Sequence, residues 1–220
     1  MFVPLLGMRM RTPSSTERRD FLDLTAFKAK PYLVFCVGTF FGFMGIYVTF
    51  FYIQLYALEQ TNMSLSLSSY LLSIINATST IGRLIPNFFA DKVGPLNIQI
   101  PFAFITSVLC FGWIGIHDRA GLIVFCALYG FFCGSFVSLP GITVVSLSPN
   151  LNTIGIQLGM ALTISGCGLL VGEPIAGAIL RDQGGWIGLQ SWCGVLLAIS
   201  GLFSLAARIL KVGPRWSAKA

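Results

Sequence analysis

Charge is scarce in this chain. Only 10% of its 220 residues are Asp, Glu, Lys or Arg, against about 25% in an average soluble domain. So few charges cannot cover a surface that faces water on every side, which excludes a soluble single-core protein. Disorder is excluded by the opposite excess, since 55% of the residues are hydrophobic and the mean hydropathy is +0.81. Histidine is nearly absent, with His117, beside Asp118 in a loop, the single one. No apolar segment holds a second histidine, a metal-ligand pair or a serine with a base beside it, so neither an enzyme nor a metal or cofactor site is expected. Gly166-Cys-Gly168-Leu-Leu-Val-Gly172 lacks the spacing and the preceding strand of a dinucleotide loop. The net charge of +6 brings no basic stripe and no aromatic stacking module, which argues against nucleic acid as a partner.

What the chain has instead is long apolar runs. A helical span needs about 20 apolar residues. Six such segments follow one another at approximately 31–58, 66–90, 97–117, 120–145, 155–180 and 186–211. Short polar breaks separate them, such as Glu59-Gln-Thr-Asn62 and Asp91-Lys-Val-Gly-Pro95, so consecutive helices are expected to be antiparallel neighbours. The cysteines at 36, 110, 126, 133, 167 and 193 all lie inside apolar stretches and read as small packing residues. Cationic residues fall mainly on one side. Arg9, Arg11, Arg18, Arg19, Lys28 and Lys30 precede the first span, Arg208, Lys211, Arg215 and Lys219 close the last, and Lys92 lies in a loop on that side. Arg119 and Arg181 oppose them. The excess places both termini in the cytosol, as an even number of spans also requires. The expected organisation is an all-α membrane protein, with a basic cytosolic segment at 1–30, a six-helix bundle at 31–211 and a cytosolic tail at 212–220. Asn62-Met-Ser64 matches a glycosylation acceptor, but so short a loop stays close to the bilayer.

Two ionisable residues remain well inside spans, Arg83 and Glu173. A charge at mid-bilayer costs about 2.5–3.5 kcal/mol on insertion scales, so such residues usually line a polar cavity or pathway. Other readings stay open for both. Arg83 lies near a helix end, from which it can snorkel to headgroups or cap carbonyls of a neighbouring helix. Glu173 precedes Pro174, and a protonated carboxyl there can satisfy the backbone groups that proline frees. Ser79 and Thr80 precede Arg83, Asn76 lies two turns earlier, Gln157 opens the fifth span, and Tyr47, Tyr52, Gln54 and Tyr56 place polar atoms along the first. Glycines recur at spacing four, as Gly38/Gly42, Gly130/Gly134, Gly155/Gly159 and Gly168/Gly172, which predicts close helix contact. An offset of 90 residues lays Gly82-Arg83 on Gly172-Glu173, as a 3+3 inverted repeat predicts. The two middle spans then run in opposite directions, with Arg83 and Glu173 separated by roughly 15 Å in depth.

Several motifs are familiar in order. Phe21-Leu-Asp-Leu-Thr-Ala-Phe27 leading into Pro31-Tyr32 resembles the approach to the seventh helix of fungal monocarboxylate-transporter-like members of the major facilitator superfamily. Gly82-Arg83-Leu-Ile-Pro86 through Asp91-Lys92-Val-Gly94 resembles their eighth helix and the loop after it. Tyr129-Gly-Phe-Phe-Cys-Gly134 resembles the tenth, and Gly155 to Gly159 with Gly172-Glu-Pro174-Ile-Ala-Gly177 the eleventh. The resemblance covers essentially the whole chain but only the C-terminal six-helix half of such a transporter, and Met1 to Gly7 reads like the tail of a sixth helix. It implies alternating-access transport of a small organic anion such as a monocarboxylate. Arg83 matches the arginine that binds the substrate carboxylate, and Ser79 stands where the family carries a titratable aspartate. Ser79, Asn76 and Tyr47 are the remaining expected substrate contacts. Glu173 is the substitute for proton coupling, and Asp91 and Gln157 join it as gating candidates. The lipid bilayer, a homodimer partner or a separate N-terminal six-helix bundle complete the expected partners, and the plasma membrane is the expected location, with vacuolar or other endomembranes the alternative. The competing expectation is a truncated or partner-dependent six-span protein without transport of its own.

Overall fold

The computed structural model describes residues 24–148, 153–182 and 184–213. The basic segment before residue 24, the tail after residue 213 and the side chain of Asp91 lie outside the described residues. A 3-10 turn, Leu24–Lys28, leads into six long helices: α1 (Lys30–Gln60), α2 (Leu65–Val93), α3 (Pro95–Trp113), α4 (Arg119–Leu147), α5 (Ile154–Arg181) and α6 (Gly185–Val212). No strand occurs among the described residues.

Local chemistry explains the boundaries. Prolines in the first turn start α1 and α3, where their missing N–H would have no helical partner in any case. The Ser64 and Asp118 side chains cap α2 and α4 by accepting from the Leu67 and Gly121 N–H groups. Gly94, at φ 100°, makes the corner between α2 and α3, a conformation a side chain would strain. The third helix ends at Trp113, short of the expected boundary. There Ile114 and Gly115 donate to the carbonyls of Phe111 and Gly112, tightening the chain into 3-10 turns.

Five of the helices are long and apolar enough to cross a membrane by length and composition. The exception is α2, whose 29 residues include Ser73, Asn76, Thr78, Ser79, Thr80, Arg83 and Asn87. Its other side is apolar, with Ile81, Leu84, Ile85, Phe88 and Phe89 exposed. It is an amphipathic member of the bundle.

Consecutive helices are antiparallel, but they are not each other's main neighbours, which corrects the sequence expectation. The most extensive contacts order the helices α5, α1, α6, α3, α4, α2, and only α3–α4 in that order is a consecutive pair. Glycines explain the closest of them. A Cβ on Gly82 would fall 2.0 Å from the Phe131 carbonyl oxygen, and one on Gly134 2.3 Å from that of Ser79, so α2 and α4 touch backbone to backbone. In the same way Gly168 and Gly172 seat α5 on the carbonyls of Phe40 and Met44 in α1. Gly155 and Gly159 depart from expectation, being exposed with no atom of another helix within 4 Å of a Cβ there.

Buried polar groups tie the helices together. Tyr129 donates to the Ile46 carbonyl at 2.6 Å, Ser107 to that of Gly194 at 2.7 Å, and Thr143 to Gln99 Oε1 at 3.0 Å. Each such bond is worth only about 0.6 kcal/mol in a membrane protein, so they set register while close packing supplies most of the cohesion. Arg119 binds the carbonyls of Thr61 and Asn62, and the Trp186 indole binds Glu59, so the turns at 61–64 and 114–118 and the start of α6 lie at one end of the bundle. The other end holds a small core of Ala26, Tyr32, Phe35, Leu96, Val144, Ala161 and Ala207, against which Val212 packs. The first and last described residues are therefore at the same end.

Candidate functional site

On α2 the residues Asn76, Thr80, Arg83 and Asn87 recur at helical spacing and form one polar stripe. Three of the four are engaged. Asn76 donates to the Leu72 carbonyl at 2.9 Å, Thr80 to that of Asn76 at 3.0 Å, and Asn87 to Ser138 Oγ of α4 at 3.1 Å. Arg83 is exposed, and among the described residues it makes no hydrogen bond or ion pair. Its guanidinium lies close enough to Tyr47 of α1 and Cys133 of α4 for its charge to act on both. It caps no carbonyl of a neighbouring helix among the described residues.

Ser79 belongs to a different surface. It is buried, its backbone rests on Gly134, and its hydroxyl donates to the Asn76 carbonyl at 2.9 Å. The structure thus leaves Asn76 on the same stripe as Arg83, puts Tyr47 within range of its charge, and turns Ser79 into the α2–α4 contact.

Glu173, half-buried on α5, lies elsewhere. Its neighbours in charge range are Tyr52 of α1 and Cys193 of α6. Its Oε1 is buried with no hydrogen-bond partner among the described residues, so this oxygen does not satisfy the backbone that Pro174 frees. Tyr47 and Tyr52 are five residues apart on α1, about 7.5 Å along the axis. The charges of Arg83 and Glu173 therefore reach α1 at two levels.

Gln157 forms a tie across the turn between α4 and α5. Its Oε1 accepts from Ser148, its Nε2 donates to Thr153 Oγ1 at 3.3 Å, and its carbonyl accepts from Tyr32 at 2.8 Å. Asp91 occupies the last turn of α2 beside Lys92, which lies over the Phe88 ring.

Two features escaped the reading of the sequence. One is a run of aromatic rings, Trp186–Tyr56–Trp113–Phe125–Tyr129–Phe50–Tyr47, with successive centroids between 5.0 and 6.4 Å apart, leading from the turn end to the Arg83 level. The other is a pocket of about 400 Å³ between α1, α5 and α6, walled by Tyr52, Glu59, Gly177, Arg181 and Trp186 among others. Both join residues far apart in the chain, so no local spacing announces them.

With this geometry in place, relatives among known proteins become informative. The chain is 35% identical to the Aspyridones efflux protein apdF of Emericella nidulans, over 96% of its own length and 42% of that protein's. It is 34% identical to the MFS-type transporter dbaD of the same organism, over 91% of its own length and 46% of the other's. It is 29% identical to the Agnestins efflux protein AgnL12 of Paecilomyces divaricatus, over 97% of its own length and 50% of the other's. No protein-family model matches. The chain spans about half the length of the curated relatives it matches, and the C-terminal half of a major-facilitator transporter fits it. Its relatives are transporters and not enzymes, and its apolar helices with these homologues make it an integral multi-pass membrane protein.

Proposed function

We propose that this chain is one six-helix bundle of a major-facilitator exporter, that it carries an organic anion by alternating access, and that Arg83 is the anion contact. The observation that carries the reading is Arg83 itself, the one member of the α2 stripe without a hydrogen bond among the described residues, its charge within range of Tyr47. A guanidinium held in this way offers two parallel donors to a carboxylate and stays charged at any physiological pH. The substrate class is an organic anion such as a monocarboxylate, and the efflux named in two relatives supports outward movement. Phe43 and Phe50, beside Tyr47, give the neighbourhood an apolar lining suited to the body of such an anion.

The order α5, α1, α6, α3, α4, α2 reverses onto itself when the first three helices exchange with the last three, which supports a 3+3 inverted repeat. The excess of cations at the end where both described termini lie supports a cytosolic location for both. Export fits the plasma membrane. Asp91 and Gln157 stay gating candidates at the cytosolic end, and Glu173 is the candidate proton carrier.

A substrate site between two bundles needs a second bundle, supplied by a homodimer or a separate N-terminal six-helix partner. The half-length match favours this requirement, and equally favours a chain with no transport of its own in isolation. The test is uptake of radiolabelled lactate and benzoate into vesicles bearing this chain alone or with the N-terminal half of apdF. Anion uptake that needs Arg83 supports the proposal. Uptake that survives Arg83→Ala unchanged overturns the anion role, and a lack of uptake in either pairing overturns transport of this class.

A further inference from the structure

We propose that the pocket between α1, α5 and α6 is the proton entrance to Glu173, with the Tyr52 hydroxyl passing the proton from the pocket to the carboxyl. This inference rests on the reading of Glu173 as the proton carrier.

The geometry is set by one face of α5. Glu173, Gly177 and Arg181 are spaced by four and lie above one another along that face. Gly177 leaves a notch between the two charged residues, and the Tyr52 hydroxyl fills it, since a Cβ on Gly177 would stand 2.8 Å from that oxygen. The hydroxyl is thus about one helical turn above Glu173. It feels the charges of both Glu173 and Arg181. Beyond Tyr52 the pocket of about 400 Å³ leads past Leu55 and Leu180 to exposed Glu59 and Arg181. At roughly 30 Å³ per water it has room for a short chain of them. On the opposite wall the Trp186 N–H holds Glu59 Oε2 at 3.1 Å, which keeps that carboxylate at the mouth.

At the inner end Glu173 presents Oε1, buried and without a hydrogen-bond partner among the described residues. Other titratable groups do not offer a competing route. Cys193 faces Glu173 from α6, inside the closed core. The single charged residue of α4, Arg119, is bonded to the carbonyls of Thr61 and Asn62. Tyr52 is the titratable side chain that lines the pocket and stands about one helical turn from Glu173, a gap without a direct hydrogen bond that one water spans.

A phenol suits the task because its oxygen accepts while its hydrogen is donated. A hydronium in the pocket gives its proton to the Tyr52 oxygen. The phenolic O–H bond breaks toward a water in the gap, that water gives one of its protons to Glu173, and the carboxylate becomes a carboxylic acid. Tyr52 ends as the neutral phenol it was, and one water is left behind, so charge and atoms balance. The reverse sequence discharges Glu173.

The experiment follows the carboxyl directly. The chain is placed in lipid nanodiscs, and the infrared band of protonated Glu173 is assigned by its loss in Glu173→Gln. Mixing into heavy water then times the exchange of that proton for deuterium. Tyr52→Phe, which keeps the ring and removes the hydroxyl, is expected to slow the exchange by about tenfold or more. Gly177→Ala, which keeps the hydroxyl but pushes it out of its notch, is expected to slow it as well. Tyr70→Phe, on the exposed side of α2, leaves it unchanged. Exchange in Tyr52→Phe within about twofold of the parent, in protein of equal melting temperature, overturns the entrance. The coupling role fails separately, when Glu173→Gln leaves the pH profile of uptake as it was.

Discussion

Arg83 of α2 and Glu173 of α5 are treated differently by the structure. Each follows a glycine that lets a neighbouring backbone in, Gly82 against Phe131 and Gly172 against Met44. The mounting is the same, and the next residue is swung about 100° around the helix from the contact in both cases. Arg83 nevertheless ends exposed on a polar stripe, whereas Glu173 ends half-buried between Tyr52 and Cys193 with an unpartnered oxygen. Side-chain length is one reason. The arginine stem carries its charge several ångströms clear of the helix contact, while a glutamate keeps its carboxyl beside the backbone. The second reason is the companion helix, since α1 brings Tyr52 and its hydroxyl against the Glu173 face but leaves Arg83 exposed, with Tyr47 within range of its charge. Equal register along a helix does not make two sites equivalent.

The sharpest way to break this comparison is to remove its shared part. Gly82→Leu and Gly172→Leu each drive a side chain into a backbone carbonyl that cannot rotate away. Both are expected to cost more than the about 1–3 kcal/mol of ordinary overpacking, seen as loss of the monodisperse peak in detergent size exclusion. If only one of the pair collapses, the two mountings are not equivalent. Next in size is Arg83→Ala, expected to lower anion uptake by about a hundredfold, the scale of one lost charged hydrogen bond, with the melting temperature held. Arg83→Lys should recover part of it, because the charge stays while the fork is lost. Glu173→Gln is expected to leave folding intact and flatten the pH profile of uptake, a change of shape more than of maximum rate. Ser79→Ala should do least, about 0.6 kcal/mol or less in thermal stability and no change in uptake. A transport defect in Ser79→Ala as large as that of Arg83→Ala would dissolve the division of α2 into a stripe and a contact face.

Much of this arrangement is legible along the chain. Scarce charge and six apolar runs announce helices in a membrane, and the positions of Arg83 and Glu173 stand out because ionisable groups there are costly. The polar stripe on α2 is partly legible too, as Asn76, Thr80, Arg83 and Asn87 obey helical spacing. Ser79 was harder to assign, because a hydroxyl beside an arginine in sequence points about 40° off the stripe after four residues, enough to place it against Gly134. Gln157, a gating candidate at the start of the fifth span, is bonded to Ser148, Thr153 and Tyr32, partners in a turn and on another helix that no local spacing announces.

The sequence by itself determined the class of the protein, the number of helices, their antiparallel succession and the presence of close-packing glycines, because hydropathy and backbone chemistry act locally. Only the tertiary structure decided which glycines are used. Gly82, Gly134, Gly168 and Gly172 receive a neighbouring carbonyl, while Gly155 and Gly159, with the same spacing, face open space. It also decided that α1 packs on α5 and α6 more than on α2, and so which polar groups share a level along α1. The physical reason is that a short turn fixes the direction of the next helix but not its partner. That choice falls to whichever faces fit most closely over their whole length.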